Sequence, residues 1–279
     1  MKKCSRPGPA LAAALAFAIA FAPAAGKVEA QGSDPAPAHQ LPPALAADMD
    51  ALRDAMYMSA PPESVEAEAG RLAAALRAAD LPEPERAVAL ARAEYCAARS
   101  WKEADKKAKA IPHYEEAIVQ ARAALAAGET AARIIALMKP LSELCLLKDM
   151  AFLIANGPKI GQYARRALAL EPGYPAALIA IAASKAYPPA IFGGNPKEAL
   201  AEMEALLASR ANGAAGGNGA GFAGKPALAK DELFDLRMCA GTACEKLGRK
   251  TEAAAWFRQA LELYAGNAYA REQLKKAAP

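Results

Sequence analysis

Histidine is nearly missing from this chain: there are two in 279 residues, His39 and His113. Neither lies near a cysteine or a second histidine at metal-ligand spacing, so no metal site is expected. No nucleophile stands beside a base that could activate it. No glycine-rich loop follows a strand, so nothing is expected to cradle phosphate. Aromatics make up only 6% of the residues. No stretch alternates apolar and polar residues over strand length, which argues against a sheet. No apolar run approaches the about 20 residues that span a bilayer. Catalysis therefore finds little support in the sequence, which reads as that of a protein that is not an enzyme and has no cofactor. A hydrolase made only of distant carboxylates is the one catalytic class left open, without a site to name.

What is present begins with a leader. Lys2, Lys3 and Arg6 form a basic start, residues 10–22 are apolar, and small residues follow. This pattern predicts a secretory signal peptide over 1–30, cut after Ala24 or Ala30. The expected product is exported and soluble, periplasmic in a cell with two membranes, and not inserted in a bilayer. Removing 1–30 takes four of 34 basic and one of 30 acidic residues, leaving thirty against twenty-nine, a net of +1. No basic tract remains to attract nucleic acid. Residues 31–43 carry four prolines and read as a disordered tether. Residues 44–279 form the folded domain.

Alanine is abundant in that domain, which suits close-packed helices. The helices are predicted at 44–58, 63–79, 83–99, 111–127, 129–155, 158–170, 174–186, 196–209, 228–247, 250–264 and 267–277. The long helix 129–155 should kink or break at Pro140, which lacks a donor. Residues 101–110, from Trp101 onward, should separate two helices. The run 212–224 is glycine-rich and reads as a mobile loop. Cys96, Cys145, Cys239 and Cys244 could form two disulfides in an oxidising compartment, or serve as small core residues. Cys239 and Cys244 diverge on one helix and should not bond each other.

A small-large-small pattern recurs in the second helix of each pair. It reads Ala117, Ala121, Ala124; then Ile160, Ala164, Ala167; then Ala199, Met203, Leu206; then Ala253, Phe257, Ala260. Each span is seven residues, two turns along one face. Gly248 permits a left-handed cap before the last of these helices. The best-defined unit, from Cys244 to Leu263, resembles a tetratricopeptide (TPR) repeat, the helical hairpin of α-solenoids. The starts are 43, 39 and 54 residues apart, against about 34 for a plain repeat. The order Leu170-Glu-Pro-Gly-Tyr174, then Pro188-Pro-Ala-Ile-Phe-Gly-Gly-Asn-Pro196, is similar to exported bacterial TPR proteins with a Pro-Pro…Phe-Gly-Gly insertion. The T components of TRAP transporters share this broad design, but no motif ties the chain to them and it lacks the lipobox they typically carry.

The resemblance implies an all-α, TPR-like solenoid with capping helices that binds a protein or peptide. Tyr187 and Phe192 in the insertion are candidate edge residues, or else parts of a structural bridge. Asn195, Pro196 and Glu198 suit a helix start. The first helices, which line the inner wall of such a stack, carry Arg92, Arg99, Arg133, Lys139, Lys148, Lys185 and Arg237, with few acids among them. If Arg133, Lys148 and Lys185 converge, they would hold a carboxylate. The alternative is a carrier that holds a hydrophobic or carboxylate-bearing small ligand inside the solenoid. A homo-oligomer formed through a capping helix is a third possibility.

Overall fold

The computed structural model describes residues 41–190, 193–214 and 227–278, except for the side chains of 211–214. The expected signal segment and most of the tether lie outside the described residues, and so does Phe192. Among the described residues the fold is all-α, with eleven helices and no strand. They are α1 (Pro43–Tyr57), α2 (Pro62–Ala78), α3 (Glu83–Glu103), α4 (Lys107–Ala126), α5 (Ala131–Leu147), α6 (Met150–Leu170), α7 (Pro175–Ala186), α8 (Pro196–Ala214), α9 (Lys230–Lys246), α10 (Lys250–Leu263) and α11 (Ala268–Ala277). None is long and apolar enough to cross a membrane.

Each helix packs on the next, and each even-numbered helix from α2 to α8 bridges the two odd-numbered helices beside it. The small-large-small positions provide the contact. All twelve are buried, and Phe257 and its flanking Ala253 and Ala260 are fully enclosed. A side chain on Gly241 of α9 would run into the Phe257 ring, so this hairpin closes only with glycine there. Gly248 has φ 75 and ends α9 in a Schellman motif: the Arg249 N–H donates to the Cys244 carbonyl at 2.9 Å, and the Gly248 N–H to that of Glu245 at 3.0 Å.

Three expectations need correction. Helix α3 does not stop at residue 99. It runs on to Glu103, and the stop is Asp105 at φ 58, a left-handed cap made without glycine. Trp101 thus belongs to the last turn of α3. It is buried, with its indole N–H donating to Glu66 at 3.1 Å and the Lys109 ammonium 3.8 Å above its ring. Second, the long helix does not break at Pro140. Pro140 sits buried inside α5, and the break falls at Lys148-Asp149, where the Asp149 carboxylate accepts the Phe152 N–H at 2.9 Å and starts α6. Third, the glycine-rich run begins inside a helix. Helix α8 continues to Ala214, and 215–224 lie outside the described residues.

The two ends of the chain meet. Among the odd-numbered helices α1 packs on α3, α3 on α5 and α7 on α9, and α9 returns to α1. The Tyr57 hydroxyl donates to Asp235 at 3.0 Å, the Tyr264 hydroxyl to Asp54 at 2.9 Å, and the Asn267 amide to the Tyr57 carbonyl at 2.7 Å. Lys230 pairs with Asp54 at 2.7 Å. The rings of Tyr57, Phe234 and Tyr264 pack on one another under these bonds. A side chain on Gly266 would strike the Met58 carbonyl, so glycine is what lets the two end turns touch. The ends of the solenoid therefore cap each other.

Candidate functional site

The odd-numbered helices carry stripes of residues that are not fully buried. Helix α3 shows how such a stripe is made. Residues 87–91, 93, 96–98, 100 and 101 are buried against neighbours, while Arg92 is exposed and Tyr95 and Arg99 are partly so. The spacing of three and then four residues puts these three on one stripe. Helix α7 and the turn before it repeat the arrangement with Tyr174, Leu178, Ile181 and Lys185, all partly exposed. Lys139 and Glu143 continue the wall on α5, and Glu232 and Asp235 on α9.

Several of these residues contact one another. Arg99 contacts Glu103 at 3.0 Å and the Tyr57 hydroxyl at 3.3 Å, with Asp235 at 3.9 Å. Burial works against its charge, but Tyr57, Tyr95, Glu103 and Asp235 outweigh that and hold the guanidinium well above its ordinary value. Burial also raises the phenols of Tyr57 and Tyr95. Tyr269 of α11 is 38% exposed, yet burial by surrounding groups pushes its phenol up to about 12, with Glu245, Glu272 and Arg99 also acting on it. For Glu143, burial raises the carboxyl, but Lys102, Arg99 and Lys139 together hold it below the usual range. For Glu232, burial dominates and raises it, while Lys139 and Arg210 pull it down.

The four expected site residues that are described do not form one site. Arg133 and Lys148 sit fifteen residues apart along α5, so their backbones are roughly 22 Å apart. Arg133 donates to Glu85 at 3.1 Å and to the Gly128 carbonyl at 2.9 Å. Lys148 pairs with Glu115 and lies 5.1 Å from the Phe152 ring centre. Lys185 bridges Glu198 and Glu202 of α8. Each of the three is thus engaged between neighbouring helices, and the expected convergence is absent. Arg237 donates to the Gln259 carbonyl at 2.6 Å.

Tyr187 is half-buried against α9, where burial holds its phenol well above the ordinary value and Cys239, Tyr269 and Thr242 are neighbours. It does not stand out as an exposed edge. The insertion after it is folded tightly. The Asn195 N–H donates to the Lys185 carbonyl at 2.9 Å, and Lys246 donates to the carbonyls of Tyr187 and Pro188. A side chain on Gly194 would strike the Pro188 carbonyl. Asn195 caps α8 as expected, accepting the Glu198 N–H at 3.2 Å, but Glu198 reaches the Asn195 side-chain amide and Lys185 rather than the backbone.

The inner wall is also less basic than expected, because Glu143, Asp231, Glu232 and Asp235 belong to it. Their signal was in the sequence: they fall on the inner face of α5 and α9 once the helix phase is fixed. Tyr95 and Tyr174 were missed for the same reason. The four described cysteines are free and buried. Burial lifts the thiols of Cys96 to about 12 and Cys145 to about 11, so they behave as core residues. Among the described residues no group of three histidine, cysteine or carboxylate side chains could hold a metal ion. No family model matches the chain, and neither a curated protein nor a solved structure does.

Proposed function

We propose that the protein is an exported TPR-like carrier that holds a small ligand inside its closed helical ring. The observation that carries this reading is the return of α9 to α1. An open solenoid would offer its inner faces as a groove for an extended peptide. In this reading closure turns the partly exposed tyrosines and charged pairs of the odd-numbered helices toward an enclosed space. Small-ligand sites are concave, largely apolar and furnished with a few placed polar groups, and this wall has that mixture. The leader pattern of residues 1–30 supports export, and the recurring hairpins support the TPR-like assignment.

The test is native mass spectrometry of the full chain purified from its own cells. The reading expects a bound small molecule that is released on unfolding. A chain that carries none, and that takes up no amphiphile when offered it, contradicts the reading.

One observation favours a second reading, a scaffold for a protein or peptide. Met150 and Ile154, one turn apart on α6, are 56% and 58% exposed. Changing both to serine should remove a captured partner if this face binds one, and should leave an interior ligand in place.

A further inference from the structure

We propose that His113 of α4 is a proton-operated latch on the closure of the ring. As the imidazolium it holds the start of α2, and with it the turn by which the two ends of the chain meet. As the neutral imidazole it lets Glu66 go. The latch concerns how the ring closes and does not depend on what the ring carries.

Both ring nitrogens of His113 face carboxylates. Nδ1 lies 2.7 Å from Glu94 of α3, and Nε2 lies 3.3 Å from Glu66 of α2. A carboxylate only accepts, and a neutral imidazole has one N–H to give. The imidazolium alone serves both, so losing its proton sets a nitrogen lone pair against a carboxylate oxygen. The Glu94 contact is the shorter and keeps the remaining N–H, so Glu66 is the one released. The other charges of the surrounding helices are engaged elsewhere. On α4, Lys109 lies 3.8 Å above the Trp101 ring and Glu116 accepts from the Gln120 amide at 2.7 Å. On α3, Arg99 takes Glu103 at 3.0 Å and Lys102 takes Glu143 of α5. Lys148 of α5 takes Glu115, and on α2 Arg71 takes Glu68.

Glu66 connects this cluster to the seam. Its other oxygen accepts the Trp101 indole N–H at 3.1 Å, so one carboxylate clips α2 to the last turn of α3 and to α4. Glu66 is four residues into α2, roughly 6 Å from the helix start at Pro62. Just before that start, the Tyr57 carbonyl accepts from the Asn267 amide and the Ser59 hydroxyl accepts the Ala268 N–H. Arg99, two residues before Trp101 on α3, donates to the Tyr57 hydroxyl at 3.3 Å. Freeing Glu66 therefore loosens the segment on which the seam turns rest. The Glu94 hydrogen bond raises the imidazole from 6.5, burial opposes it, and Glu66 adds to the rise. The folded value lies above the unfolded one, so the latch is shut below 6.5 and lets go as pH rises through the raised value.

The test is an NMR titration of the full chain. The His113 imidazole should titrate with a midpoint above 6.5, and the Trp101 indole N–H should shift with the same midpoint. Hydrogen exchange of the Asn267 side-chain amide, which is buried at the seam, reads the latch. Corrected for base catalysis of exchange, its protection should fall by roughly two- to fivefold as His113 loses its proton, the size of one partly exposed ion pair. In Glu66→Gln the His113 midpoint should drop, and the Asn267 protection should no longer follow it. A wild-type midpoint at or below 6.5 would overturn the grip of two carboxylates on one ring. A raised midpoint with unchanged Asn267 protection would overturn the latch and leave His113 a local ion pair.

Discussion

Single residues decide how closely the helices approach. Gly241 is the sharpest case. The Phe257 ring is fully buried and cannot move aside, so an added methyl must displace a helix. Gly241→Ala should cost about 1–3 kcal/mol by overpacking, read as a lower urea midpoint with an unchanged slope. An unchanged midpoint would mean that α9 and α10 are farther apart than described. His113 makes a different kind of contact. Its imidazole lies between Glu94 at 2.7 Å and Glu66 at 3.3 Å, tying α4 to α3 and α2. The Glu94 hydrogen bond raises its pKa, burial opposes this, and the net shift is upward from 6.5. A raised pKa means that the charged form is favoured in the folded chain. The stabilisation is therefore complete below 6.5 and fades as pH rises through the raised value. His113→Gln should lower the unfolding midpoint in mild acid and change it little in alkali. An equal loss on both sides would assign His113 a packing role only.

At the scale of helices, the ends show what the sequence could and could not disclose. Gly248 announces its cap because glycine adopts φ 75 without cost. Asp105 performs the same job at φ 58, and an aspartate among charged residues carries no such signal. The α3 end was therefore placed four residues early, and Trp101 was read as lying outside its helix. Asp105→Gly should stabilise the fold by about 1 kcal/mol, since a left-handed backbone costs a residue with a β-carbon that much. A loss of stability would show that the Asp105 side chain is needed at the cap. The break between α5 and α6 was misplaced for a related reason. Pro140 looks like the stronger interruption, but the helix absorbs one missing donor within a buried segment, whereas Asp149 supplies a cap. Replacing it, Asp149→Ala, should cost about 1 kcal/mol in thermal unfolding. The second-helix faces were legible throughout, because a seven-residue spacing of small residues survives insertions between helices.

The whole molecule holds the feature that local pattern could not reveal. Nothing in the spacing of Asp54, Tyr57, Asp235 and Tyr264 says that they meet, since they lie 178 to 210 residues apart in their pairs. The seam is polar at its rim and aromatic beneath, so it resembles a packed interface within one chain. The expected basic groove dissolved for a separate reason. Arg133, Lys148 and Lys185 each find an acid on an adjacent helix, so they do not converge.

Closure of the ring is the claim on which the interior site depends, and one cross-link tests it directly. The Ser59 hydroxyl accepts the Ala268 N–H at 3.1 Å across 209 residues. The double variant Ser59→Cys/Ala268→Cys should form an intramolecular disulfide under mild oxidation, because the four described native thiols are buried and unreactive. The account predicts a single faster-migrating band on a non-reducing gel, with the helical circular dichroism unchanged. A variant that stays reduced while folded, or that links only into dimers, would contradict the closed ring and the carrier built on it.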